Sequence, residues 1–225
     1  TKRYSSEEMN VELEKIGASV HFGAGNNYTT LTISSLTKHI DRSIELAKEK
    51  GFNHIVLPTG RSPRAMLTYS LTSLFYTMNI YGLCSTSFKQ DIQRAVEMLN
   101  AEVESIKSIA KEIADNIFNK TCVIYADATF EGVAVRMRQQ LNENSKVLCW
   151  HHVLPEMNHN ELVGWAGGSQ ERAVVVLRND TDHPRTQRRM ELSKEIIQKH
   201  TNTYFEIFSK GESEIAKALY HILLG

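Results

Sequence analysis

Four consecutive polar side chains, Asn158-His159-Asn160-Glu161, come shortly after an apolar stretch at Lys146–Val153. This apolar stretch has the composition of a buried β-strand. Amides and a histidine can hold a polar ligand, and a carboxylate beside a bound molecule can take up and return a proton. Ligands of parallel α/β sheets collect at the carboxyl ends of the strands. The run therefore predicts a binding or catalytic site at the end of this strand.

A second interpretation of this run needs no ligand. Asn158 or Asn160 can cap the helix that follows, and Glu161 in its first turn would interact favourably with the helix dipole. Capping accounts for one asparagine and the glutamate, but it leaves the other asparagine and His159 without a task. We therefore favour a functional role.

The elements that must position these residues alternate between strand and helix from about residue 119 onward. Four apolar strands are predicted, at Cys122–Ala126, Lys146–Val153, Ala173–Arg178 and Tyr204–Ser209. Helices are predicted between and after them, at Glu131–Asn142, around Glu161, and at Thr186–His200 and Glu212–Leu223. Valine- and isoleucine-rich strands without alternation, each followed by a helix, favour a parallel sheet covered on both faces.

The first half of the chain has the pattern of the end of a similar α/β run. Short strands are predicted at Gly17–Phe22, Leu31–Ser34 and His54–Leu57. A long amphipathic helix, Asp91–Asn119, separates this half from the second. The chain is therefore predicted to contain two α/β halves.

The overall composition restricts the possible partners. The 225 residues include 26 Lys plus Arg and 26 Asp plus Glu, so the net charge is zero. This balance argues against broad electrostatic binding to nucleic acid or to an acidic membrane. No apolar run approaches the roughly 20 residues of a membrane helix, and the polar start of the chain does not have the pattern of a signal peptide. Three scattered cysteines, Cys84, Cys122 and Cys149, are expected to be buried reduced thiols, which indicates a cytoplasmic protein.

Two other kinds of site are disfavoured by the spacing of the residues. His151 and His152 are adjacent and lack a third ligand at useful spacing, so no metal is expected. Gly23-Ala24-Gly25 lacks the following glycine of a dinucleotide fingerprint. We therefore expect no cofactor.

The segment Asn158–Trp165 resembles the Asn-His-Asn-Glu-Ile-x-Gly-Trp motif of the bifunctional phosphoglucose/phosphomannose isomerases, which belong to the sugar isomerase (SIS) superfamily. Three further stretches resemble that family in the same order along the chain: Pro58–Ala65, Val123–Asn144 and Leu177–Arg185. The resemblance covers roughly residues 45 to 225. It implies two flavodoxin-like SIS domains with parallel sheets flanked by helices, the first of them incomplete.

The domain boundaries implied by the resemblance are a partial first SIS domain at 1–90, a connecting helix at 91–119 and a second SIS domain at 120–225. The implied activity is interconversion of glucose 6-phosphate, and of mannose 6-phosphate, with fructose 6-phosphate. A homodimer with shared active sites is implied as well. The alternative is an SIS-fold module that binds a phosphosugar, or a degenerate isomerase without turnover.

The resemblance also implies roles for individual residues. Glu161 corresponds to the base that moves a proton through a cis-enediolate, and Arg64 corresponds to the arginine that faces this anion. Arg61 could be confused with Arg64. His183 best matches the histidine that opens the sugar ring, while His159 and His152 stay open as alternatives.

The phosphate site is the part of the resemblance that fits least well. SIS domains hold phosphate with a Ser/Thr-rich loop that leads into a helix. Only the segment at residues 3–8 is similar to this loop, and it offers Ser5 and Ser6. A plain helix cap explains these serines equally well. Asn158, His159 and Asn160 are the remaining candidates for substrate binding.

Overall fold

The computed structural model describes residues 5–24, 29–34, 37–49, 55, 57–58, 60–168 and 170–225. The chain divides into two compact units, Thr1–Ser73 and Leu74–Gly225. The first unit contains α1 (Ser6–Lys15), β1 (Ser19–Ala24), β2 (Thr29–Ser34) and α2 (Ile40–Glu49), and α3 (Leu67–Ile80) begins in it.

The two strands of the first unit pair antiparallel, from Ser19 opposite Ser34 to Ala24 opposite Thr29. This differs from the parallel arrangement expected for the first half. The reason is the short connection at residues 25–28, because parallel neighbours need a crossover of about a dozen residues or more. The predicted strand at 54–57 lies largely outside the described residues.

The second unit holds the alternating elements that the sequence predicts. They are α4 (Phe88–Ile117), β3 (Thr121–Asp127), α5 (Glu131–Asn144), β4 (Cys149–Leu154), α6 (Glu156–Asn160), β5 (Arg172–Arg178), α7 (Pro184–Ile197), β6 (Tyr204–Phe208) and α8 (Glu214–Leu224). The strand predicted from Lys146 begins only at Cys149. Lys146 has a left-handed backbone (φ 58°), and Leu148 remains largely exposed.

All four strands of the second unit run parallel, in the order β4-β3-β5-β6. The two central strands, β3 and β5, are buried along almost their whole length. Such strands lose contact with water on both faces, which is why valine and isoleucine run through them without alternation. The predicted parallel α/β sheet is confirmed here.

Successive residues of β3 point to opposite faces of the sheet and into two separate cores. Ile124 joins a cluster with side chains of α4, α5 and α8. Val123 and Tyr125 join a second cluster that includes Met157 of α6 and Met190 of α7. The second cluster anchors the segment that follows β4 against the sheet.

The cysteines are free thiols. Cys122 is buried, and burial raises its pKa to about 12. Cys84 and Cys149 are only half-buried, so the expectation of buried thiols holds for Cys122 alone. None of the described helices is both long and apolar enough to cross a membrane.

Candidate active site

Glu161 lies at the carboxyl edge of the parallel sheet. The chain leaves β4 at Leu154, forms the short helix α6 and reaches Glu161 as the C-terminal cap of that helix. A 3₁₀ turn, Leu162–Gly167, follows directly. Buried Met157 before Glu161 and buried Trp165 after it hold the segment in place, and the Glu161 side chain stays half-buried.

The capping interpretation of this segment is wrong. The residue before α6 is Pro155, which has no side-chain cap, and both asparagines lie inside the helix. Glu161 follows the last turn of α6 and precedes the 3₁₀ turn Leu162–Gly167, where its side chain makes no capping hydrogen bond. The polar residues of the segment therefore need another explanation.

The carboxylate of Glu161 is held from two sides through one oxygen. The Tyr125 hydroxyl donates a 2.5 Å hydrogen bond to Oε1, and Trp150 Nε1 donates a 3.3 Å bond to the same atom. Trp165 Nε1 in turn donates to the Tyr125 hydroxyl at 3.0 Å. Burial, followed by the bond to Glu161, raises the pKa of Tyr125 far above its ordinary value. Tyr125 is therefore a permanent hydrogen-bond donor.

His152 is bound within a chain of hydrogen bonds. The Val153 backbone N–H donates to His152 Nδ1 at 2.8 Å, so the neutral ring carries its proton on Nε2. His152 Nε2 then donates to Asn160 Oδ1 at 3.1 Å, and Asn160 Nδ2 donates to Glu156 at 3.1 Å. This chain fixes the amide of Asn160 at the end of α6.

The other two polar residues of the segment behave differently from each other. Asn158 Nδ2 donates to Ser193 Oγ at 2.7 Å, which ties α6 to α7. Asn158 Oδ1 is buried and has no hydrogen-bond partner among the described residues. His159 is exposed. Of the two, only His159 is exposed to solvent.

His183 is the N-terminal cap of α7, where its Nδ1 accepts a 3.2 Å hydrogen bond from the Arg185 backbone N–H. Its ring is exposed and lies near Asp127, the last residue of β3. Burial acts to raise the Asp127 pKa, but hydrogen bonds from Thr129 and Thr186 and the nearby His183 lower it below its usual range. No hydrogen bond joins His183 to Glu161 in the described part of the chain.

A buried polar network lies beside this loop, at the end of β5. Asp182 accepts hydrogen bonds from the backbone and side-chain N–H groups of Asn179, at 2.9 and 3.2 Å. These bonds orient the side-chain amide of Asn179, and Asn179 Oδ1 accepts a hydrogen bond from His221 Nε2 at 3.3 Å. His221 is fully buried, and burial lowers its pKa to about 4.

The buried His221 makes the stability of the second unit depend on pH. Its folded pKa of about 4 lies below its unfolded value of 6.5, so the unfolded chain binds more protons between these values. The stabilisation is complete above pH 6.5 and is lost as the pH falls through 4. Between pH 7.5 and 5.0 we expect a loss of about 2 kcal/mol from this group.

Urea unfolding at these two pH values measures this effect. His221→Gln retains an N–H donor for Asn179 but does not titrate, so it should lose about 2 kcal/mol less than the wild type over the same interval. An equal loss in both proteins would show that His221 is not the responsible group.

The remaining candidates lie in the first unit. Ser5 caps α1, where its hydroxyl accepts from the Glu8 backbone N–H at 3.2 Å and Glu8 bonds back to the Ser5 N–H at 2.7 Å. Ser6 is the first residue of that helix, and its side chain lies outside the described part. Arg64 is exposed within a 3₁₀ turn, Pro63–Ala65, and Arg61 is exposed just before it. Roles for these residues remain predictions.

The sequence analysis missed Tyr125 and Trp150 as residues of the site. Tyr125 reads as one more apolar residue of a buried strand, although a buried phenol needs a hydrogen-bond partner. That requirement was the available signal, but the partner is 36 residues away in the chain. The described residues contain no group of three or more His, Cys, Asp or Glu side chains placed to hold a metal ion.

The fold and the site together define a parallel α/β domain with a carboxylate fixed at its carboxyl edge. Residues 106–225 match the family of bacterial phospho-glucose isomerase C-terminal SIS domains, and the chain belongs to this family. The recognised motif, Asn158–Trp165, lies inside the matched residues.

Individual relatives match a larger part of the chain than the family does. The chain is 31% identical over 202 residues to a bifunctional phosphoglucose/phosphomannose isomerase of Aquifex aeolicus, with 89% of this chain and 60% of the relative covered. It is 33% identical over 192 residues to the protein of that name from Caldicellulosiruptor bescii, with 80% and 56% covered. The chain thus spans less than two thirds of the length of these relatives.

Among solved structures, the chain resembles a glucosamine-6-phosphate deaminase of Thermotoga maritima. The TM-score is 0.50 at 16% sequence identity, and 80% of this chain and 56% of that chain are covered. At this identity the likeness supports the fold alone.

Proposed function

We propose that the protein is an aldose–ketose isomerase that interconverts glucose 6-phosphate, and mannose 6-phosphate, with fructose 6-phosphate. The observation that carries this proposal is the half-buried Glu161 carboxylate, which Tyr125 and Trp150 hold by hydrogen bonds at the carboxyl edge of the sheet. Membership of the phospho-glucose isomerase family and the names of the relatives support the substrate class.

The reaction needs one base and a partner for negative charge. Glu161 removes the proton from C2 of the open-chain aldose, and the electron pair of the broken C–H bond forms the cis-enediolate. The same carboxylate then delivers the proton to C1 while the hydroxyl proton on O2 passes to O1, so that C2 becomes the carbonyl carbon of the ketose. By the resemblance of its Pro-Arg-Ala turn to the family's, we assign stabilisation of the enediolate charge to Arg64. Because C2 is planar in this intermediate, both C2 epimers lead to fructose 6-phosphate.

The sugar ring must open before the proton moves. We assign this step to His183, whose exposed ring can exchange a proton with the ring oxygen. The hydrogen bonds of His152 to Val153 and Asn160 support its exclusion from this role. His159 is exposed as well, and it is assigned to substrate binding with Asn158 and Asn160.

The phosphate and the subunit arrangement complete the proposal. Ser5 and Ser6 bind the phosphate at the start of α1, in a partial first SIS domain (1–90) that a helix (91–119) joins to the second SIS domain (120–225). The protein acts in the cytoplasm as a homodimer, in which His183 serves the site of the neighbouring subunit. If the protein sediments as a monomer at assay concentrations, His183 cannot serve the site of a neighbouring subunit, and this part of the proposal is wrong.

A coupled assay for fructose 6-phosphate tests the function directly. We expect the purified protein to form it from glucose 6-phosphate and from mannose 6-phosphate, at rates that EDTA does not change. Binding of both sugar phosphates without turnover would support the alternative, an SIS-fold phosphosugar-binding module or a degenerate isomerase.

A further inference from the structure

The hydrogen bonds around Glu161 have a fixed direction. An indole N–H can only donate, so the Trp165 ring, 3.0 Å from the Tyr125 hydroxyl, must use an oxygen lone pair of that hydroxyl. The single proton of Tyr125 is then directed to Glu161 Oε1 at 2.5 Å. Trp150 Nε1 adds a second donor to the same oxygen at 3.3 Å. Two donors therefore converge on one carboxylate oxygen.

The other carboxylate oxygen is treated differently by the structure. Oε2 of Glu161 receives no hydrogen bond from the residues that the structure describes. A carboxylate has about four lone-pair sites, shared between its two oxygens. Because both donors bind Oε1, the lone pairs of Oε2 can accept a proton. Oε1 is therefore fixed by two hydrogen bonds, whereas Oε2 is left to accept a proton.

Two of the three residues that create this asymmetry are buried in the core of the second unit. Tyr125 is 1% exposed and lies near the end of the central strand β3, while Trp165 is 3% exposed in the same core. Neither ring can turn away without opening that core. Trp150 lies on β4, the neighbouring strand, and brings its N–H to Glu161 from another side.

We propose that Tyr125 is the positioning residue of the isomerase, that Trp165 orients its hydroxyl, and that Glu161 Oε2 is the oxygen that takes and returns the substrate proton. This inference rests on the proposed function and deepens it. It also gives a task to the tryptophan of the Asn158–Trp165 motif, which acts on the base through Tyr125.

Tyr125→Phe tests the proposal because it removes the hydroxyl and keeps the ring. We expect kcat to fall by about 10- to 100-fold, the range for one hydrogen bond to a charged group. KM should change less than twofold, because a positioning residue acts on the base, Glu161, and not on the bound substrate. With glucose 6-phosphate deuterated at C2, the isotope effect on kcat should increase, since proton transfer becomes slower than the other steps.

Two further variants separate positioning from folding. Trp165→Phe should lower kcat in the same direction but by a smaller factor, about 3- to 10-fold, because the Tyr125 hydroxyl remains. Tyr220→Phe is the matched control: Tyr220 is also 1% exposed, but it packs on the opposite face of the sheet. It should keep kcat, KM and the isotope effect of the wild type.

The outcomes are distinguishable. A wild-type protein that turns over with Tyr125→Phe at the same kcat overturns the positioning role and leaves the proposed function intact. A rise in KM alone, or an equal loss of kcat in Tyr220→Phe, overturns it as well. If Tyr125→Phe does not fold by circular dichroism, an unchanged kcat in Trp165→Phe is sufficient to overturn it. A wild type without turnover overturns the proposed function and this inference together.

Discussion

Replacing Glu161 by glutamine is expected to lower kcat by about 10³-fold with both substrates. The amide has nearly the same shape, and its oxygen can still accept the hydrogen bonds of Tyr125 and Trp150, so the fold should be retained. It has no basic lone pair, and a positioned general base contributes about 10²- to 10⁴-fold to a rate. The coupled assay measures the loss, and circular dichroism checks the fold.

Glu195→Gln is the matched control for this change. Glu195 is an exposed carboxylate on α7, and its neutralisation should leave kcat within twofold of the wild type. If Glu161→Gln retained a rate within a few-fold of the wild type, another group would have to be the base.

Replacing Arg64 by alanine is expected to lower kcat/KM by about 10²- to 10³-fold. The enediolate carries a full negative charge that the substrate lacks, so a cation facing it stabilises the transition state more than the ground state. Loss of a single donor to such an anion costs about this factor. The same coupled assay measures it, over a range of substrate concentrations.

Arg61→Ala distinguishes the two arginines of this turn. Arg61 precedes the 3₁₀ turn that contains Arg64, and both are exposed. We expect Arg61→Ala to change kcat/KM less than threefold. A larger loss in Arg61→Ala than in Arg64→Ala would assign the enediolate contact to Arg61.

The fold of the second unit could be predicted from the sequence because its signals are local. The run Val174-Val175-Val176 places apolar side chains on both faces of a strand, which favours a strand buried on both faces. The helices between successive strands allow those strands to run parallel. The pairing of β1 with β2 could not be predicted in the same way. Their composition suits either direction, and the short connection between them decided it.

The candidate site could be predicted only in part, for a similar reason. The Asn158–Trp165 motif indicates that Glu161 is the base. Glu161 lies after α6 and not at its start, because this helix already begins at Glu156. Tyr125 and Trp150 come from two neighbouring strands, and their convergence on Glu161 follows from the strand register and the path of the segment after β4. Neither the strand register nor the path of this segment can be predicted from a single sequence.

Isomerisation in D₂O tests the central claim, that Glu161 moves a proton through an enediolate. Glu161 is half-buried, so the proton that it holds during the reaction can exchange with solvent. We predict that fructose 6-phosphate formed by the wild type from glucose 6-phosphate carries deuterium at C1 by NMR, and that Glu161→Gln forms product and exchanges about 10³-fold more slowly. A wild-type product without deuterium, or exchange at an undiminished rate in Glu161→Gln, would contradict the proposed mechanism.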